Sequence, residues 1–174
     1  MISYAIRDNI AALRQGIYLI SGLAAERYTQ RTPACFNSTA GGHLRHIIEH
    51  YFSFFDGAQT GEIDYEARAR DSLIETDPAY AVAQLESICD RLERLTATPV
   101  IRVRSESTLG TAEPVYCKSS ILRELEFLLS HTVHHYALIG VICQLAGQSL
   151  PKNFGMAPST LRHLQTQALA ACAR

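Results

Sequence analysis

The sequence has no tryptophan, only two methionines, and no two cysteines at C-x-x-C spacing. Its five cysteines, Cys35, Cys89, Cys117, Cys143 and Cys172, form an odd set, which argues against a disulfide scaffold, a zinc ribbon and a redox dithiol. They are expected to be reduced, with Cys89 and Cys143 serving as small core residues inside helical patterns. An excess of either charge is also missing: 16 Lys and Arg stand against 17 Asp and Glu, for a formal net charge of -1. Basic residues nowhere cluster without interleaved acids, so nucleic acid is not an expected partner. No apolar run approaches the ~20 residues of a membrane span. The opening MISYAIRDNIAALRQG breaks its apolar residues with Arg7 and Asp8, so no signal peptide and no membrane partner are expected, and the location is expected to be cytoplasmic. H-E-x-x-H, the Glu-x-x-His of di-iron bundles, a Walker loop, G-x-G-x-x-G and G-x-S-x-G are all absent.

What is present is an ordinary globular composition, 47% hydrophobic and 19% charged over 174 residues. One domain over 1–174 is expected, burying roughly 70% of the unfolded surface. From Ser3 to Arg27, Ile6, Ile10, Leu13, Ile17, Ile20 and Leu23 recur three or four apart and predict helix one. Turn and cap residues follow in TQRTPACFNSTAGG, and HLRHIIEHYFSFFDG resumes the period as helix two, ending near Gly57. EIDYEARARDSLIETDP mixes acids and bases and is expected mainly as a solvated loop or short helix. Asp77-Pro78 opens helix three, striped by Ala81, Leu85, Ile88, Leu92 and Leu95, with Pro99 beyond its end. Val100 to Arg104 and Val115 to Cys117 predict a small hairpin turning at Leu109-Gly110. Ser119 or Ser120 caps helix four, which runs to Gly147, and a short C-terminal helix begins near Ser159.

Six of the seven histidines lie in two groups on two of these helices. At about 100° per residue, His131 and His135 project from one face of helix four, one turn apart, a spacing that chelates one ion. Leu128, Leu138, Ile139 and Ile142 share that face, so both imidazoles should point inward. Buried imidazoles need partners; a metal satisfies one nitrogen of each ring while the other donates to a nearby acceptor. Glu124, two turns before His131, is the candidate to orient a ligand, to bind directly, or simply to pair with an arginine. His134 is displaced toward the edge of the face. On helix two, His43, His46 and His50 form an edge beside Leu44, Ile47, Tyr51, Phe54 and Phe55, and at least one should face helix four. Three imidazoles would leave a coordination position open. Zn is the default ion, with Ni or Fe as alternatives, because imidazole ligation does not select among them.

GGHLRHIIEHY, DYEARARD, RELEFLLSHTVHHYALIG and FGMAPST together resemble the DinB-like superfamily of metal-binding helical bundles, a group that includes bacillithiol S-transferases and a mycothiol-dependent isomerase. The resemblance covers most of the chain. It implies an all-α, up-and-down four-helix bundle, here with a hairpin insertion between helices three and four. It also implies a metal held by one helix-two histidine and a His-x-x-x-His pair, landing on His46, His131 and His135. The surplus His43, His50 and His134 depart from the minimal pattern and keep His50 open as the alternative helix-two ligand. By analogy with the family, a homodimer is expected.

Two classes of function follow. In the first, the chain is an enzyme on small-molecule substrates: the metal acidifies a low-molecular-weight thiol for transfer to an electrophile, or a water for hydrolysis with Glu124 or Glu49 as base. Arg45, Arg68 and Arg70 are then candidates to bind carboxylates. In the second, the metal is a non-catalytic staple in a stress-response module. The blandest alternative is a bundle whose histidines bind nothing.

Overall fold

The apolar stripe of the first segment forms α1 (Ile2–Ser21), burying Ile10, Leu13 and Ile20 with Ile6 and Ile17 packed against the same core. This is a computed structural model, and it describes residues 2–96, 100–105 and 114–172. The first helix does not continue to Arg27. It stops at Ser21, and after Gly22, a poor helix former, Ala25–Thr29 makes a separate short helix, α2. The break lets Leu23 still reach the core and brings buried Tyr28 over to donate its hydroxyl to the Ile74 carbonyl at 2.6 Å.

After a 3₁₀ turn at Pro33–Cys35 comes α3 (Ala40–Thr60), capped by Thr39, whose hydroxyl accepts the Gly42 N–H at 2.8 Å. Leu44, Ile47, Ile48, Tyr51 and Phe54 are fully buried along it. It passes the expected end near Gly57 and stops at Gly61, whose φ of 87° lies in the left-handed region that favours glycine. Gly57 serves another purpose: a Cβ there would stand 2.5 Å from Ile63 Cγ1 and 2.6 Å from the Glu62 carbonyl oxygen. The chain can therefore fold back tightly against α3.

That return makes β1 (Glu62–Ile63), so the polar connection is tied into the molecule more closely than a solvated loop, with Ile63 and Tyr65 both buried. Its apolar residues are too few and too irregularly spaced to read as an element. β1 pairs parallel with β2 (Ile101–Arg104), which pairs antiparallel with β3 (Tyr116–Ser119). The antiparallel pair is the hairpin expected from sequence; its Leu109-Gly110 turn lies outside the described residues, as does Pro99.

Between β1 and β2 in sequence lie α4 (Ser72–Thr76) and α5 (Pro78–Glu93), the latter capped where expected by the Asp77 carboxylate on the Ala79 and Tyr80 N–H groups. Ser120 caps α6 (Ile121–Leu145), Gly147 follows its end at a φ of 76°, and α7 (Pro158–Cys172) closes the described chain. α1 packs on α5 and α6, and α3 packs on the same two, which places α1 and α3 at opposite corners of a helical bundle. A buried polar cluster crosses that diagonal. Asn9 on α1 donates to the Leu125 carbonyl at 3.0 Å and accepts the Tyr51 hydroxyl from α3 at 2.6 Å. The fold is thus all-α with a small sheet inserted before its last long helix. Among the described residues, no helix is long and apolar enough to cross a membrane.

Candidate metal centre

The contact between α3 and α6 is where the histidines meet. His43, His46 and His50 recur at three and four residues along α3, and His131 and His135 stand one turn apart on α6, so each set keeps to one side of its helix. Ring centroids lie 4.9 Å apart for His46–His131, 4.6 Å for His46–His135, 4.1 Å for His50–His131 and 4.5 Å for His131–His135. One ligand nitrogen from each of His46, His50 and His131 lies within 4.8 Å of the others. Both candidates from the second long helix therefore reach the cluster. His135 flanks it on the His43 side, while His134 is exposed and touches His135 edge-on at 5.1 Å.

Hydrogen bonds assign the tautomers of three rings, His50, His43 and His135. A carbonyl only accepts, so the 2.7 Å contact of His50 Nδ1 with the His46 carbonyl puts a proton on Nδ1 and leaves the lone pair on Nε2. On the other side, the Ser38 hydroxyl donates to the Cys35 carbonyl and is left to accept from His43 Nε2 at 2.9 Å. His43 Nδ1 then accepts from His135 Nδ1 at 3.0 Å, and the lone pair of His135 is on Nε2. His43 thus orients His135 in the way that outer acceptors orient metal-binding imidazoles.

Burial is the largest influence on the charge of these rings. It lowers His131 to about 2, with His50, His135, His46 and His134 adding repulsion. It takes His46 and His135 to about 3, each pushed further by neighbouring imidazoles and Arg68, and His50 to about 4 despite its bond to the His46 carbonyl. All four are uncharged at neutral pH, which is the state that ligates.

The residues fit a divalent ion on one observation in particular: His131 Nδ1 is buried and has no hydrogen-bond partner among the described residues. Buried polar atoms are ordinarily paired, and this ring lies among the neutral imidazoles of His46, His50 and His135. His46, His50 and His131 would hold the ion, with His135 beside them.

Glu124 is fully buried, but its carboxylate accepts from the Tyr65 hydroxyl at 2.8 Å, from Arg123 Nη1 at 3.0 Å and from the Ser119 hydroxyl. It reaches the histidines through Tyr65, whose ring stacks on His50 with centroids 5.4 Å apart. Tyr65 and Phe127, which lies 5.6 Å from His131, make an aromatic wall that pattern reading missed. The available signal was DYEARARD, in which Tyr65 is the one aromatic residue among charged residues and alanines. Arg68 comes from that stretch too, with Nη1 3.3 Å from His50 Nε2. Glu49 lies behind it, one oxygen accepting the Asp71 N–H at 2.7 Å and the other 4.0 Å from Arg68 Nε. Arg70 is exposed. Toward the α3 N-terminus a cleft of about 360 Å³ opens onto the cluster, lined by Arg31, Thr39, Arg45, His46, Glu75 and His135 among others.

No solved structure matches the chain. Over 109 residues it is 32% identical to FK506-binding protein 5 of Rhizopus delemar, a match covering 60% of this chain and 28% of that relative. The chain thus spans less than a third of the length of the curated relative it matches. A family model described as the DinB superfamily matches residues 12–139, a stretch from α1 into α6 that contains every histidine of the cluster. That match takes in most of the chain, which belongs to the DinB superfamily.

Proposed function

We propose that this chain is a divalent-metal-dependent enzyme acting on small molecules, of the thiol-transferase or hydrolase type. The observation that carries the reading is the half-buried nest of uncharged imidazoles, with ligand nitrogens within 4.8 Å and His131 Nδ1 lacking any hydrogen-bond partner among the described residues. A divalent ion bound there supplies acidity, turning a thiol or a water into a nucleophile at neutral pH. The protein's own residues do the rest. His43 and the His46 carbonyl fix the ring orientations, and Tyr65 and Phe127 shield one side from water. The cleft beside His46 and His135 admits a small substrate. Zn is the first expectation for the ion.

A structural staple is the second reading, favoured by a fourth imidazole: the His135 ring stands 4.6 Å from that of His46 and 4.5 Å from that of His131. The test is elemental mass spectrometry on untagged protein, wild type and His131→Ala, followed by a thiol-transfer screen. About one equivalent of metal per chain, lost in the variant, with turnover of a thiol and an electrophile, supports the enzyme. Tightly held metal without turnover supports the staple, and a folded, metal-free wild type overturns both.

A further inference from the structure

The donor set and its surroundings are out of balance in charge. The imidazoles of His46, His50, His131 and His135 are neutral ligands, so a bound divalent ion would keep its full charge. Arg68 adds another positive charge within hydrogen-bond reach of His50, in a position where its side chain is only 19% exposed. One carboxylate, Glu49, stands behind Arg68 at 4.0 Å, and one of its oxygens is already engaged by the Asp71 N–H. Two cations brought together away from bulk water are costly without a counter-charge.

The His50 tautomer sharpens the conflict. Its Nδ1 proton is committed to the His46 carbonyl, so the single ring lone pair, on Nε2, is the atom that Arg68 Nη1 meets at 3.3 Å. If His50 gives that lone pair to a metal, the Arg68 N–H loses its acceptor and points at the site. A guanidinium left in this way takes an anion, most strongly a planar carboxylate. A second arginine repeats the pattern on the cleft side: Arg45 pairs Nη1 with Glu75 at 3.1 Å, while its buried Nε has no partner among the described residues.

We infer that Arg68 is a substrate-binding residue selecting an anionic small molecule, a carboxylate-bearing thiol or electrophile, at the metal centre. The inference rests on the metal-dependent reading above.

The test uses cobalt-loaded protein and follows the visible spectrum during titration with mercaptoacetate and with 2-mercaptoethanol, thiols of equal length with and without a carboxylate. Wild type should bind mercaptoacetate at least about tenfold more tightly, the factor that one charge-assisted hydrogen bond supplies. Arg68→Gln should retain cobalt and lose the preference, and Arg68→Lys should keep part of it. Equal affinities in the wild type overturn the proposal without recourse to any variant. So does a preference that survives in cobalt-loaded Arg68→Gln, which would then come from chelation of the metal alone. A wild type that takes up no cobalt overturns the metal-dependent reading itself, and this one with it.

Discussion

His43 on α3 and His135 on α6 face each other nitrogen to nitrogen, with 3.0 Å between their Nδ1 atoms. Because Ser38 accepts the Nε2 proton of His43, this contact leaves the lone pair of His135 on Nε2, free to ligate. His43→Ala should therefore weaken metal binding about 10- to 100-fold while leaving the helical circular dichroism unchanged. Competition against a chelator of known affinity measures it; equal affinities would mean that His43 orients nothing.

Acid should unfold the metal-free protein in a defined window. Burial holds His46 and His135 at about 3, His50 at about 4 and His131 at about 2, whereas in the unfolded chain each takes up its proton near the ordinary value of 6.5. Between those values the unfolded state binds more protons. The stability contributed by these rings is therefore whole above 6.5 and lost as pH falls toward the folded values. The Tm of the metal-free protein should drop steadily from about pH 6.5 to about pH 4.5, and His131→Leu should flatten the slope. An unchanged Tm across that range would contradict the burial argument.

Glu124 and Tyr65 make a separable pair. Glu124→Leu leaves the buried Tyr65 hydroxyl without its acceptor, which should cost about 1–3 kcal/mol in urea unfolding. Adding Tyr65→Phe removes the stranded hydroxyl and should restore part of the loss. If the double variant is as unstable as the sum of the two single ones, the two residues are not coupled.

Gly57 tests the return of the chain against α3. A methyl group there meets Ile63 Cγ1 at 2.5 Å and backbone at 2.6 Å, so Gly57→Ala should destabilise by about 1–3 kcal/mol even though alanine is the better helix former. A more stable variant would show that β1 can move away.

Much of this was legible in the chain. Three- and four-residue spacing marked each long helix, and the caps at Asp77 and at Ser119 or Ser120 were readable because capping is decided by neighbours in sequence, the structure choosing Ser120. The histidine pair on α6 and the row on α3 were visible for the same reason, since one helix repeats its faces at a fixed period. The family resemblance followed from those same residues. What local pattern could not carry was the pairing between elements. Which α3 rings lie against His131, the 4.1 Å approach of His50, and the placing of His43 behind His135 all depend on how α3 and α6 are set against each other. Tyr65 and Arg68 come from a stretch with no period to read, and they reach the site only because Gly57 lets the chain turn back along α3. Periodicity fixes which face of a helix is apolar; only packing in three dimensions decides what that face meets.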